Sequence, residues 1–231
     1  MPTRKVPLET KHFYHIYFHA IDNLKIFQSF QEKNLFVEIV NYYQNQNTPI
    51  NFSGLYNRLS ASERILIIKK LSEKGDFLVN IISFCGVDNH FHLTLEQLID
   101  NGISLFMKQI LSSFSHIYNR EKNRRGSLYQ SSFCSRLIKT DEDLVHLTAY
   151  HHLHPYTNGL VKNYQAIFNY FFSSLPAYFN KKTPIRVNPK RVLEIISPEE
   201  YQKYLKNRAQ DQKNLEKYKN EEEKYLVGSR I

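Results

Sequence analysis

Two apolar segments, at residues 77–84 and 87–95, constrain the fold more than any other feature of the sequence. The first follows a Gly75-Asp76 break and is rich in β-branched and aromatic residues, so it predicts a strand. The second is expected to pair with it as a neighbouring strand. A third strand is predicted at residues 12–18, which are also aromatic and β-branched. These strands must form a sheet whose apolar face is covered by helices.

The remaining apolar segments mostly show helical spacing. Helices are predicted for residues 26–43, 60–71, 103–119 and 141–154. Residues 44–59 are polar and contain Gly, Pro and Asn, so they predict a loop, and Pro155 is expected to end the last helix. Residues 127–138 are expected to be extended. Alternating strands and helices predict an α+β or α/β protein with helices on a face of one sheet.

Size and composition restrict the class of protein. The chain has 231 residues, of which 42% are apolar and 23% charged, as in ordinary globular domains, so collagen-like, disordered and membrane classes are excluded. Residues 1–5 are not followed by a hydrophobic signal core, which favours a cytoplasmic protein without membrane contact. Two cysteines, Cys85 and Cys134, are too few for a disulfide framework and are expected to be reduced.

Positive charge is concentrated in one segment. The net charge is +9, and residues 120–139 alone carry six basic side chains against one acidic side chain. Residues 199–231, in contrast, carry eight basic and seven acidic side chains. A basic segment with tyrosines and phenylalanines around it is typical of a nucleic-acid-binding surface. A solvated surface loop explains the charge equally well at this stage.

Histidines form the sharpest local pattern. His90 and His92 point to the same face if residues 87–95 form a strand, so the two imidazoles could chelate one metal ion. Tyr150 and His154 are four residues apart and share a helical face, which places a phenol beside a third possible ligand. A metal ion there could assist attack by the phenol on a phosphodiester. The alternatives are a hydrogen-bonded histidine pair and a structural tyrosine.

In combination, these motifs resemble the single-tyrosine HUH transposases, and especially the REP-associated tyrosine transposase branch. The family's strand motif Asn-His-hydrophobic-His-Leu corresponds to Asn89–Leu93, and its hairpin motif Gly-x-Leu-aromatic-Gln corresponds to Gly126–Gln130. Its helix end, Tyr-Ile-His-x-Asn-Pro, corresponds to Tyr150–Pro155, and its Trp-Ser-Ser-Tyr corresponds weakly to Phe172–Leu175. The four motifs follow the family's order.

The resemblance implies a ferredoxin-like (RRM-like) α+β fold, an antiparallel sheet with helices on one face, usually in a homodimer. It implies that Tyr150 is the catalytic nucleophile and that His90, His92 and His154 bind Mg²⁺ or Mn²⁺. The implied activity is cleavage and strand transfer of single-stranded DNA beside a hairpin, with a 5′-phosphotyrosine intermediate and a free 3′-hydroxyl. The expected DNA-binding residues are Arg120, Lys122, Arg124, Arg125, Tyr129, Gln130, Arg136 and Lys139.

The resemblance also suggests a division of the chain. Residues 1–180 correspond to the HUH catalytic domain, with an insertion at about residues 44–76. Residues 181–231 are predicted to form a charged helical extension whose role stays open, with a Glu/Lys-rich helix at residues 199–225.

Three positions depart from the family pattern. His154 stands where the family more often has Asn or Gln, Asp88 replaces a proline, and Ser132 replaces a hairpin arginine. An imidazole-rich site favours Mn²⁺ or Zn²⁺ over Mg²⁺. The departures leave two alternatives: a domesticated descendant that binds hairpin DNA or RNA without cutting, and a metal hydrolase in which water attacks and Tyr150 is structural. The family histidine matched by His152 has no assigned role here.

Overall fold

A four-stranded antiparallel sheet forms the centre of the computed structural model, which describes residues 7–211. The strands are β1 (Phe13–His19), β2 (Val79–Gly86), β3 (His90–Gln97) and β4 (Cys134–Ile138), in the order β2-β3-β1-β4. The α-helices are α1 (Phe30–Tyr43), α2 (Phe52–Arg58), α3 (Ala61–Glu73), α4 (Gly102–Glu121), α5 (Asp141–Thr157) and α6 (Lys190–Leu193). Short 3₁₀ helices occupy Ile21–Asn23, Tyr164–Asn169 and Leu175–Phe179, and residues 198–211 are helical.

The connections between strands are those of a ferredoxin-like fold. Helices α1 to α3 join β1 to β2, a short turn joins β2 to β3, and α4 joins β3 to β4. Strand β1 lies between β3 and β4 and pairs antiparallel with both, with Tyr17 opposite His92 and His15 opposite Arg136. The predicted α+β class with an antiparallel sheet is confirmed.

The two faces of the sheet have different coverings. Alternate residues of β1, including Ile16 and Phe18, are buried in the larger core with α1 and α4. The opposite face carries the histidines of β1 and β3 and is covered by α5, whose Leu144 and Leu153 lie in a second apolar cluster. The prediction of helices on one face of the sheet is confirmed by α1 and α4. In addition, α5 covers the other face.

Two local predictions are wrong. The predicted loop at residues 44–59 contains α2, which begins where the Asn51 side chain accepts a hydrogen bond from Gly54 N. Burial of Phe52 and Leu55 stabilises this short helix. Pro155 does not end α5, because a proline in the last turn removes only one intrahelical donor. The helix continues, and Asn158 N donates to His154 O at 3.0 Å.

The segment after residue 180 packs against the second cluster. Tyr201 and Leu205, in the helix of residues 198–211, are fully buried there. The rest of the predicted helix, residues 212–225, and the end of the predicted extension lie outside the described residues. The proposed boundary at residue 180 and the proposed insertion at about 44–76 stay predictions. Between residues 7 and 211, none of the helices has the length and hydropathy that crossing a membrane requires.

Candidate active site

Strand β3 presents two histidines to the face of the sheet that α5 covers. His90 and His92 alternate with the buried Phe91 and Leu93, which point into the larger core. The period of two in the strand therefore separates the imidazoles from the apolar side chains, as predicted. Helix α5 crosses above them and carries Tyr150 and His154 on neighbouring turns.

His90, His92 and His154 meet in one group. Their potential ligand nitrogens lie within 4.8 Å of one another, and His90 Nε2 is 2.8 Å from His154 Nε2. Asn89 Oδ1, 2.8 Å from His90 Nδ1, fixes the orientation of that ring. The Asn158 side-chain amide lies 3.1 Å from His154 Nδ1. The group provides three imidazole nitrogens at a spacing that fits a divalent transition-metal ion.

Tyr150 lies beside this histidine group. Its ring centroid is 5.2 Å from that of His154 and 5.8 Å from that of His92. The side chain is half-buried, whereas His92 and His154 are buried. A phenol at the edge of the group, with partial access to solvent, can contact a bound molecule and the histidines at once.

Burial keeps the strand histidines in the form that binds metals. It is the main reason that the pKa of His90 falls to about 3, with nearby His154 and His19 adding to the effect. The pKa of His92, which is fully enclosed, lies well below its ordinary value for the same reason. Both imidazoles are therefore neutral at neutral pH, and a neutral ring nitrogen can donate its lone pair to a cation.

Two further histidines belong to the cluster and were missed by sequence reasoning. His15 Nε2 is 3.0 Å from His92 Nδ1, and the ring of His151 lies 5.5 Å from that of His92. On β1, His15 alternates with buried apolar residues, and this pattern could have placed its side chain on the face opposite the larger core. Its proximity to His92 depends on the register between β1 and β3, which no local pattern reveals.

His152 faces away from this cluster and has a structural role. Its Nδ1 lies 2.7 Å from the Tyr201 hydroxyl and its Nε2 lies 2.8 Å from Ser174 Oγ. These contacts link α5 to the helix of residues 198–211 and to the loop beside β2. The weakly matched Phe172–Leu175 motif thus supplies a hydrogen-bonding partner to the helix that carries Tyr150.

The predicted DNA-binding residues are divided between two places. Arg136 lies opposite His15 on β4 and shares its face of the sheet, while Arg125, Gln130 and Lys139 are exposed. The others, near the end of α4, have partners within the protein: Arg120 with Asn57 (2.6 Å), Lys122 with Glu32 (2.7 Å) and Arg124 with Asn119 (3.1 Å). Among the predicted DNA-binding residues, Arg136 therefore lies on the face of the sheet that carries the histidines.

The hairpin motif lies at the same end of the sheet as His90. Ile21 N donates to Leu128 O at 3.0 Å, Gln130 N donates to His19 O at 3.1 Å, and Ala20 N donates to Asn89 O at 2.8 Å. These bonds connect the basic segment to the strand of His90 and His92 through the end of β1. Tyr129, one of the expected DNA-binding residues, packs edge-to-face on Phe18, and its hydroxyl is buried without a partner among the described residues.

Comparisons with known proteins agree with the motifs. The family model described as "Transposase IS200 like" matches residues 56–152, which include His90, His92 and Tyr150. A solved structure, "Structure of the REP associates tyrosine transposase bound to a REP hairpin", is similar with a TM-score of 0.52 at 12% identity. The match covers 81% of this chain and 92% of the other. A search of curated proteins finds no significant match. Residues 56–152 are therefore similar to the IS200-like transposases, and the fold of the chain is that of a REP-associated tyrosine transposase.

Proposed function

We propose that this protein is a metal-dependent endonuclease and strand transferase for single-stranded DNA that contains a hairpin. The observation that carries the proposal is the position of Tyr150, whose ring lies 5.2 Å from that of His154 at the edge of a three-histidine group. A purely structural tyrosine has no need of three converging imidazoles beside it.

The residues have separate roles in the proposed reaction. His90, His92 and His154 would hold a divalent ion, which supplies charge neutralisation at the scissile phosphate. Tyr150 loses its phenolic proton to solvent and its oxygen forms a bond to phosphorus. The P–O3′ bond breaks, and the leaving 3′ oxygen takes up a proton to become a free hydroxyl. The 5′ phosphate stays on Tyr150, so the energy of the phosphodiester is kept for strand transfer.

Manganese is the better candidate of the two ions that the family resemblance implies. Three imidazole nitrogens are softer donors than the oxygens that Mg²⁺ prefers. We therefore propose Mn²⁺, or another divalent transition-metal ion, as the ion that supports cleavage.

The proposed substrate follows from charge and from the similar structure. The segment 120–139, with Arg125, Arg136 and Lys139 exposed, would contact the phosphate backbone next to the site. The solved structure of similar fold is bound to a REP hairpin, which favours a hairpin foot in the substrate here. We propose a homodimer located in the cytoplasm as the acting form.

A covalent-adduct assay tests the proposal. Single-stranded DNA from genomic repeats flanking the gene is labelled at its 3′ end and incubated with protein and Mn²⁺, so that the label stays on the strand joined to Tyr150. A denaturing gel should show a labelled protein–DNA band with the wild type and none with Tyr150→Phe, while both proteins bind the hairpin equally. Tyr156→Phe, two residues beyond His154, is the matched control and should form the band.

The other outcomes identify the alternatives. Hairpin binding without cleavage by the wild type would indicate a domesticated binding protein. Cleavage without a covalent band would indicate a hydrolase in which water attacks. A band that persists in Tyr150→Phe would assign the nucleophile to another residue.

A further inference from the structure

A second group of three histidines lies directly beside the first. His15 of β1, His92 of β3 and His151 of α5 place their potential ligand nitrogens within 4.8 Å of one another. Their ring centroids are 5.2 to 5.5 Å apart, and His15 Nε2 is 3.0 Å from His92 Nδ1. Two nitrogens that bind one ion at about 2.0 to 2.1 Å with tetrahedral geometry are only slightly further apart.

The state of His151 indicates a missing partner. Its side chain is fully buried, and its Nε2 has no hydrogen-bond partner among the described residues. Its Nδ1 lies 2.9 Å from Ser83 Oγ and 3.5 Å from Thr94 Oγ1. A ring held by a protein group at one nitrogen and unpaired at the other is oriented in the way that metal-ligating histidines are. Leaving such a nitrogen unpaired in the interior is destabilising, and a bound ion would remove that penalty.

We infer that His15, His92 and His151 form a second metal site, suited to a borderline transition-metal ion such as Zn²⁺. Three imidazoles with room for a further ligand are a common zinc donor set. The inference does not require that the protein cut DNA. It adds an ion that is held by α5 and the sheet together, one residue from Tyr150.

His92 would serve both groups through different nitrogens. Its Nδ1 faces His15, which leaves Nε2 for the group with His90 and His154. The two groups would therefore share one ring, with each ion on a different nitrogen of His92.

An ion can approach the second site from one side of the sheet. His15 lines a cavity of about 250 Å³ between β4 and α5, together with Arg136, Asp143 and His146. The cavity also borders Leu137, Ile138 and Leu147, and it leaves His15 accessible beside two buried ligands.

Zinc binding by variants that keep only the second group of histidines tests the inference. His90→Ala combined with His154→Ala leaves only the second group, and this full-length variant, stripped with a chelator, should bind one equivalent of Zn²⁺ by calorimetric titration. Adding His151→Ile, which restores the residue of the family motif, should weaken Zn²⁺ binding by at least about tenfold. His146→Ala, which alters the cavity rim, is the matched control and should leave the affinity unchanged.

Thermal unfolding provides the second measurement. Zn²⁺ should raise the melting temperature of the His90→Ala, His154→Ala variant, and both His151→Ile and His15→Gln should remove that rise. The inference is overturned if the double variant binds no Zn²⁺, or if its binding is insensitive to both substitutions. Tyr150→Phe should bind Zn²⁺ like the wild type, so the outcome is independent of whether the protein forms a covalent adduct.

Discussion

Replacing Tyr201 by phenylalanine should destabilise the protein through the buried His152. Ser174 Oγ donates its single proton to Phe84 O (3.2 Å), so His152 Nε2, 2.8 Å away, must donate to it. His152 Nδ1 is therefore an acceptor, and the Tyr201 hydroxyl donates to it at 2.7 Å. Both side chains are fully buried, so water cannot replace the lost donor.

The expected loss follows from the cost of an unpaired buried acceptor. Tyr201→Phe should lower the free energy of unfolding by about 1 to 3 kcal/mol. A loss of 2 kcal/mol corresponds to a fall in melting temperature of about 4 to 8 °C for a chain of this size. Urea unfolding followed by circular dichroism measures the free energy directly.

Tyr204→Phe is the matched control. It lies on the same helix, is half-buried and packs against Arg208, so its loss should stay within about 0.5 kcal/mol. A Tyr201→Phe protein as stable as the wild type would refute the hydrogen-bond assignment. Equal losses in the two variants would show that the helix of residues 198–211 is stabilised by general packing instead.

Three further predictions concern pH, salt and the metal ion. Burial lowers the pKa of His90 and of His152 to about 3, so between pH 6.5 and 3 the unfolded chain binds protons that the folded chain does not. The free energy of unfolding of the metal-free protein should therefore decrease as the pH is lowered from 6.5 to 3, by up to about 1.4 kcal/mol per pH unit for each histidine. A free energy of unfolding that stays constant from pH 7 to 5 would contradict this. Replacing the exposed Arg125 and Arg136 with alanine should reduce the slope of log affinity for single-stranded DNA against log salt by about 1.4, which fluorescence titration can measure. His154→Gln should shift cleavage from Mn²⁺ towards Mg²⁺, and an unchanged ratio of the two rates would argue against His154 as a ligand.

The strands were predictable because their signals are local. The β-branched and aromatic segments locate β1, β2 and β3 to within a few residues, and the period of two places His90 and His92 on one face. The Ser60 capping box likewise marks the start of α3. Helix α2 was not predictable, because its seven residues depend on burying Phe52 and Leu55 against distant parts of the chain.

The candidate site was predictable only in part. His90, His92, Tyr150 and His154 lie in short motifs whose spacing identifies them. His15 joins the cluster because β1 pairs antiparallel with β3 in one register, which places it diagonally opposite His92. Such a register depends on the whole sheet and its turns, so it cannot be derived from residues 12–18 alone.

The central claim is that Tyr150 carries the DNA after cleavage, and mass spectrometry of the adduct tests it most directly. Trypsin cuts after Lys139 and Lys162 and releases a peptide of residues 140–162, which contains two tyrosines, Tyr150 and Tyr156. After nuclease digestion of the bound strand, fragmentation of this peptide should locate the nucleotide mass on Tyr150. The mass on Tyr156, or on a peptide elsewhere in the chain, would contradict the account.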